Sequence, residues 1–240
     1  AVSVLAFSGP TLPVAAQGTA EPPQLNPGIQ PPHGALGPLG QYKQQQACMK
    51  SGSGAQIAER PWGQLTLGYQ QAHDQGLTGA GQRIAVVDTG VNQHPQLAGR
   101  LDDGGTNVPK GSALTDCDGH GTIVAGIAAA QSTPGTGFVG VAPDSRILSL
   151  RQSSSLFQED ETGKTIGNTE TMAQAIQHAV DQQVDVINVS QSSCQPMGQA
   201  SNPGNPGNQM LHNAVKNAYD AGTVVVAAAG NADEACEQNN

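Results

Sequence analysis

The chain has 240 residues, of which 31 are Gly and 16 are Pro, while only 12% are charged and 3% are aromatic. It carries 10 Lys and Arg against 19 Asp and Glu, a formal net charge of −9. An acidic chain without basic runs excludes a nucleic-acid-binding protein, because affinity for phosphates depends on Lys and Arg. The sequence contains no apolar run of about 18 residues, so no complete transmembrane helix is expected within it.

The first 16 residues, AVSVLAFSGPTLPVAA, are mostly apolar and end in small side chains. This pattern is typical of the back half of a secretory signal, with Val14 and Ala16 at the small-residue positions before the cleavage point. The alternative is a flexible apolar N terminus. We therefore expect an exported protein and interpret residues 1–16 as the remnant of its signal.

Residues 17–60 are rich in Pro, Gly and Gln and show no sustained period. Each Pro removes a backbone donor and restricts the residue before it, so this segment is expected to be an extended or irregular arm. Disorder is the alternative. From Pro61 the pattern changes, and residues 61–240 are expected to belong to a packed domain.

Helical and strand patterns alternate along this second part of the chain. In chain order we predict helix Leu65–Gln75, strand Arg83–Asp88, helix His120–Ala130, strand Arg146–Leu150, helix Thr169–Asp181, strand Val184–Ser190, helix Met210–Ala221 and strand Thr223–Ala229. The last strand is nearly continuous in apolar residues, which is typical of a central strand buried on both faces. The alternation predicts an α/β fold, a parallel sheet with helices on both faces, whose functional groups lie at the carboxyl ends of the strands.

The cysteines are four in number and form no CxxC pair, which makes a zinc ribbon or a thioredoxin-type site improbable. They are Cys48, Cys117, Cys194 and Cys236. In an exported chain an even count favours disulfides, with free buried thiols as the alternative. Spacing alone leaves all three connectivities open.

Asp88 stands at the predicted carboxyl end of a strand, in the sequence IAVVDTGV. A lone Asp at such a position is often a helix cap or a structural acceptor. The DTG triplet also occurs in aspartic proteases, which need two carboxylates that share a proton. This chain holds no second DTG or DSG, so that chemistry would require a homodimer.

His120 lies between two glycines in DCDGHGTIVAG, before a predicted helix. It could cap or pack, or it could bind a metal, but no second His lies at ligand spacing, and we predict no metal site. Asp116 and Asp118 resemble part of a calcium loop but lack its closing Glu. The stretch also lacks the glycine pattern of a dinucleotide site, so we expect no cofactor.

Asn231 ends the strand-like sequence VVVAAAGN. Asn is common in loops because it tolerates turn geometry. Alternatively, its side-chain amide could stabilise a developing oxyanion.

The order of four motifs, AVVDTGV, HGTIVAG, VINVS and VVVAAAGN, resembles the subtilisin-like serine proteases over residues 77–231. The resemblance implies that Asp88 orients His120, that His120 accepts the proton of a Ser nucleophile, and that the Asn231 amide completes the oxyanion hole. It also implies two substrate-binding segments that flank the peptide, Ser190–Gln191–Ser192 and Ala228–Ala229–Gly230.

One departure concerns the nucleophile. The family carries its Ser in a GTS-x-AxP motif well after the Asn, and this sequence contains no GTS. We therefore expect the Ser to lie beyond this fragment, and the fragment alone to be inactive. The segment RQSSSLFQEDETG is implied to be a loop that lines the cleft. Its acidic residues, Glu159, Asp160 and Glu161, could favour basic substrates, but a solvated loop is the favoured interpretation.

The arm and the positions of the cysteines resemble, more narrowly, the mycosins, the subtilisin-like proteases of type VII secretion. This resemblance implies the disulfides Cys48–Cys117 and Cys194–Cys236, an arm that wraps the domain without blocking the cleft, and a membrane helix beyond Asn240. It also implies cleavage of exported proteins, membrane components of the secretion system as partners, and a place in the cell envelope. The alternative function is an inactive scaffold subunit of that complex. A nucleotide-binding α/β protein is disfavoured because a phosphate loop is lacking.

Overall fold

The structure is a computed structural model, and it describes residues 25–50, 57–192, 202 and 204–230. Three predictions fall outside these residues: the signal remnant 1–16, the catalytic role of Asn231, and the pairing of Cys194 with Cys236.

The described chain forms, in order, β1 (Tyr42–Gln44), α1 (Trp62–Leu67), α2 (Gln70–Asp74), β2 (Arg83–Asp88), a 3-10 turn (Pro95–Leu97), β3 (Leu101–Thr106), α3 (His120–Ala129), β4 (Arg146–Arg151), β5 (Ser154–Glu159), β6 (Thr165–Ile166), α4 (Thr169–Asp181), β7 (Val186–Val189), α5 (Pro206–Asp220) and β8 (Val224–Ala227).

Five of the strands form the central sheet, in the order β3-β4-β2-β7-β8. All four neighbouring pairs are parallel, and β2 lies in the middle. The predicted α/β fold with a parallel sheet and helices on both faces is therefore confirmed.

Alternate residues of the strands point to opposite faces of this sheet. On one face, Val87, Leu150 and Ile187 pack with apolar residues of α4 and α5. On the other face, Val86 and Ile147 pack with the small side chains of α3. The central strand is thus covered on both sides, as expected for a parallel sheet.

The predicted helix Leu65–Gln75 is wrong as a single element. It is two short helices, because Gly68 adopts a left-handed conformation, with φ 65°, and ends α1. The predicted helix Met210–Ala221 begins earlier than expected, because the side chain of Asn205 caps α5 and Pro206 occupies its first turn. Helix α4 has the predicted bounds, with Asn168 as its cap.

Strand β8 differs from its prediction as a central, doubly buried strand. It is an edge strand of the sheet that the described residues form. Val224 and Val226 are 57% and 49% exposed. Only one of the two faces of this apolar strand therefore packs against the rest of the domain.

A second sheet, of three antiparallel strands in the order β1-β5-β6, was not predicted. It joins the arm to the segment RQSSSLFQEDETG, since Lys43 of β1 pairs with Gln158 of β5. Much of that segment is therefore a strand, not a loop. Its acidic residues are partly engaged, since Lys43 Nζ lies 2.6 Å from Asp160 Oδ2 and Thr162 Oγ1 donates to Glu159 Oε2.

The described part of the arm, residues 25–50, lies against α4 and α5 before it reaches β1. The Asn213 side chain of α5 donates to the backbone carbonyls of Asn26 and Ile29, at 2.9 and 2.7 Å. His33 Nδ1 lies 2.9 Å from Asp181 at the end of α4. These contacts place the described arm on the domain, not in solution.

None of the helices in the described ranges is both long and apolar enough to cross a membrane.

Candidate active site

Asp88 and His120 meet at the carboxyl edge of the central strand. Asp88 is the last residue of β2, and His120 is the first residue of α3. Asp88 Oδ1 lies 2.7 Å from His120 Nδ1. The Asp88 side chain is fully buried, whereas the His120 side chain is 53% exposed. An ionised carboxylate only accepts hydrogen bonds, so Nδ1 carries the proton and Nε2 is left to accept one.

A network of hydrogen bonds positions the two elements that carry this pair. The backbone N–H of Thr89 donates to Asp88 Oδ1 at 2.7 Å. The Thr89 hydroxyl donates to Asp116 at 2.8 Å and accepts from the N–H of Gly121 at 3.0 Å. Thr89 therefore joins the end of β2 to the first turn of α3.

Asp116 satisfies the N terminus of α3 from outside the helix. Its carboxylate is buried and accepts from the backbone N–H groups of Gly119 and Thr122, at 2.8 and 2.9 Å. The hydroxyl of Thr122 also donates to it at 2.6 Å. These are donors that an α-helix leaves unpaired, and a negative charge is favourable near them.

Gly121 allows α3 to approach β2 closely enough for the pair to form. A Cβ at this position would lie 2.1 Å from the carbonyl oxygen of Gly90 and 3.1 Å from Asp88 Oδ1. No side chain fits there without displacing the backbone that follows Asp88. The glycine after the His is therefore required by packing.

Burial raises the pKa of Asp88 above its ordinary value, because the charged form loses its hydration. The hydrogen bond from His120 and those from Thr89 lower the pKa and offset part of the rise. The two protonated donors therefore stabilise a carboxylate that the interior disfavours.

Arg151 is a second buried charge near the site. It is the residue of β4 in register with Asp88 and is completely buried. Its guanidinium donates to the backbone carbonyl of Lys110 at 2.8 Å and lies 5.7 Å from the centroid of the Phe157 ring. Burial lowers the pKa of Arg151, while the charges of Asp118 and Asp116 raise it in part. Its positive charge offsets the acidic loop before His120.

The arm is tied to that same loop by a disulfide between Cys48 and Cys117, so this implied pairing is present. The backbone N–H of Met49 also donates to the carbonyl of Cys117 at 2.9 Å. On the other side of the loop, the carboxylate of Asp118 accepts from the hydroxyls of Ser154 and Ser155. The loop before His120 is therefore held between the arm and β5.

The two implied substrate-binding segments lie at the same edge of the sheet. Residues 190–192 follow β7, and residues 228–230 follow β8. The N–H of Ala228 donates to the carbonyl of Val189 at 2.9 Å, which keeps the two strand ends together. Ser190 is half-buried and accepts a hydrogen bond from Asn188.

The fold therefore brings Asp88 into contact with His120 and places both implied substrate-binding segments at the same carboxyl edge of the sheet. No group of three His, Cys, Asp or Glu side chains suited to a metal ion occurs in the described ranges. An open hollow lined by Arg60, His73 and Asp144 includes neither Asp88 nor His120. The chemistry at this edge is that of an oriented imidazole, which can accept a proton at Nε2.

Thr89, Asp116 and Arg151 were not predicted to position the site. Thr89 and Gly121 stand inside motifs that carry the resemblance, and Asp116 lies four residues before one of them, so their small or polar character was visible. What the sequence did not show is their joint contact across 32 residues of chain, from Thr89 to Gly121. Arg151 was missed because it is charged, and the predicted strand therefore ended one residue before it.

Residues 79–240 match the profile of the Peptidase S8 family, described as the subtilase family. Mycosin-1 of Mycobacterium tuberculosis is 36% identical over 235 residues, which cover 91% of this chain and 50% of the relative. The chain spans about half the length of the curated relatives it matches.

Solved structures resemble the fold as well. The crystal structure of MycP1 from Mycobacterium smegmatis is 33% identical, with a TM-score of 0.78, over 92% of this chain and 58% of that chain. The periplasmic assembly from the ESX-5 inner membrane complex contains a chain that is 35% identical, also with a TM-score of 0.78, over 92% of this chain and 59% of that chain.

Proposed function

The chain belongs to the subtilase family, and from that membership and the geometry of the site we propose that the whole protein is a serine endopeptidase of the mycosin type. The observation that carries the proposal is the contact of 2.7 Å between buried Asp88 and exposed His120 at the carboxyl edge of β2. In this proposal the 240 residues supply the acid–base half of the catalytic machinery, and a Ser outside them supplies the nucleophile.

His120 takes the proton of that Ser through Nε2 as the hydroxyl attacks the peptide carbonyl. Asp88 keeps the proton on Nδ1 and stabilises the imidazolium that forms. His120 then protonates the leaving amine, and water resolves the acyl-enzyme. The Asn231 amide and a backbone N–H stabilise the tetrahedral oxyanion, a contribution of about 3 kcal/mol in comparable enzymes.

Exposed apolar side chains on the α3 face of the sheet are an argument that a further segment of polypeptide packs there. Val225 of β8 packs on the opposite face with α4 and α5, so Val224 and Val226 point toward the α3 face and are exposed. On α3 itself, Ile123 and Ile127 are 66% and 52% exposed. Parallel sheets are normally covered on both faces. The proposal places the segment that carries the Ser on this surface.

The bound peptide lies, in this proposal, between the two segments that follow β7 and β8. Residues 190–192 pair with its backbone, and Ala228, Ala229 and Gly230 form a wall of small side chains. Their half-buried or exposed positions at the strand ends support this role, because a substrate can reach them there. Substrates are exported proteins, and the protein acts in the cell envelope.

The partners we propose are membrane components of a type VII secretion system. The likeness to a chain of the ESX-5 periplasmic assembly supports this. A membrane helix beyond Asn240 anchors the protein, and Cys194 pairs with Cys236. The same likeness favours a second function, an inactive scaffold subunit, if the complete protein lacks the Ser motif.

The test is the hydrolysis of internally quenched peptides by the protein expressed from its complete gene. His120→Ala is expected to lower kcat by a factor of about 10⁴ to 10⁶. The matched control is His33→Ala, because His33 Nδ1 also binds an Asp at 2.9 Å but lies on the arm. The control is expected to retain activity. Hydrolysis that survives His120→Ala overturns the mechanism, and a wild type that assembles with the secretion complex but cleaves nothing supports the scaffold.

A further inference from the structure

An apolar side chain from the arm lies near Gly119, the residue that precedes the catalytic histidine. Met49 follows the disulfide-bonded Cys48, and its own N–H donates to the carbonyl of Cys117. A Cβ built on Gly119 would lie 3.5 Å from the sulfur of Met49. Gly119 immediately precedes His120, so the Met49 side chain lies close to the backbone just before α3.

Met49 nevertheless remains 66% exposed. Its backbone is fixed by the disulfide before it and by its own hydrogen bond, so this exposure is not that of a loose chain end. Methionine is flexible at its side chain and polarizable at its sulfur, and it adapts to apolar partners of different shape. A held backbone with an exposed thioether suits a contact surface for a ligand.

The position of Met49 opposes the two substrate segments. The loop at residues 116–119 binds Ser154 and Ser155 just after β4. Strand β4 lies on one side of β2, and β7 and β8 lie on the other. Asp88 and His120 are therefore flanked by the arm on one side and by the ends of β7 and β8 on the other.

We infer that Met49 forms the arm-side wall of the substrate cleft and selects peptides with an apolar side chain at the residue that lies next to the imidazole. This inference rests on the proposed protease function and extends it to substrate selection. Met49 touches no reacting atom, so it acts on specificity and not on proton transfer.

The experiment uses the protein from its complete gene and a library of internally quenched peptides in which one position at a time is varied. Met49→Ala is expected to lower kcat/KM about tenfold for peptides with Leu, Phe or Met at a single position, because the contact of several methylene-sized groups is lost. Peptides with Gly at that position are expected to be unaffected. Met49→Leu is expected to keep the preference of the wild type for peptides with an apolar side chain at that position.

Met210→Leu is the matched control, because Met210 packs among the helices on the other face of the sheet. It is expected to match the wild type. A uniform loss for all peptides in Met49→Ala, or no loss for any of them, overturns the inference while the protease function stands.

If the wild type hydrolyses none of the peptides, the protease function fails, and peptide binding is then measured as a second readout. The protein from its complete gene, labelled with ¹³C at the methionine methyl groups, is mixed with the same peptides. The inference expects the Met49 methyl and the His120 ring to shift together, and Met49→Leu identifies the methyl signal. Shifts at His120 without Met49, or no shift at either, contradict it.

Discussion

Replacing Gly121 by Ala tests the close approach on which the Asp88–His120 pair depends. The added Cβ would lie 2.1 Å from the carbonyl oxygen of Gly90. An ordinary contact between such atoms is about 3.4 Å, so α3 and the chain after β2 must separate by roughly 1 Å. Overpacking of this kind costs about 1–3 kcal/mol. Displacement of a catalytic group by 1 Å lowers activity about 100-fold.

Gly126→Ala, in the same helix, is the matched control. A Cβ at Gly126 meets nothing within 4 Å. Since Gly inside a helix is less favourable than Ala by about 0.5–1 kcal/mol, this variant is expected to be more stable than the wild type. Urea denaturation of the wild type, Gly121→Ala and Gly126→Ala measures the free energy of unfolding of each protein. The reasoning fails if Gly121→Ala raises the free energy of unfolding as Gly126→Ala does.

Two further predictions concern the buried carboxylate and the disulfide. Because burial raises the pKa of Asp88, the folded state binds this proton more tightly than the unfolded state, and the contribution of Asp88 to stability is lost as the pH rises through its folded pKa. As the pH rises above 3.8, the ordinary pKa of an Asp carboxyl, the stability of Asp88→Asn relative to the wild type is therefore expected to increase and then level off. Urea denaturation over a range of pH follows this change, and a decrease contradicts the assigned direction. Replacing both Cys48 and Cys117 by Ser opens a loop of 69 residues and is expected to lower the free energy of unfolding by up to about 4 kcal/mol. An unchanged denaturation midpoint would show that the hydrogen bonds of the arm suffice without the bridge.

Much of the central sheet is predictable because its strands are short apolar runs separated by helical patterns. Strand Arg83–Asp88 has the predicted bounds, and so does the helix Thr169–Asp181, which packs on the sheet. The apolar periodicity and the capping residues of these elements are visible in the local sequence, and they suffice to place the elements.

The elements that were missed depend on contacts from distant parts of the chain. Strand β5 is polar in sequence, and it forms because β1 of the arm and β6 pair with its two edges. Strand β3, with the sequence LDDGGT, has no apolar alternation and is held by its parallel pairing with β4. No local signal distinguishes such segments from loops.

Buried amides on the helices were also beyond pattern analysis. Gln177 of α4 and Asn213 of α5 are 3% exposed, although their type is usual at the surface. Asn213 binds the arm and Gln177 accepts a hydrogen bond from Asn217. The backbone carbonyls of the arm need donors and take them from Asn213, whereas Gln177 binds Asp181 and Asn217 on the two helices.

The candidate site was predictable in identity and not in geometry. Motif order alone named Asp88 and His120, which the fold brings to 2.7 Å. The supporting contacts of Thr89 and Asp116 join segments that the sequence separates by 27 residues. Only the folded chain shows why those neighbours are needed.

The proton on the His120 ring tests the central claim most directly. Asp88 Oδ1 is expected to hold that proton on Nδ1 of the neutral ring, leaving Nε2 as the base. A ¹⁵N–¹H spectrum that correlates the ring nitrogens with the ring carbon-bound protons distinguishes the two neutral tautomers. The account predicts the Nδ1–H tautomer in the wild type and its loss in Asp88→Ala. A wild-type ring protonated at Nε2, with Nδ1 free, would contradict it.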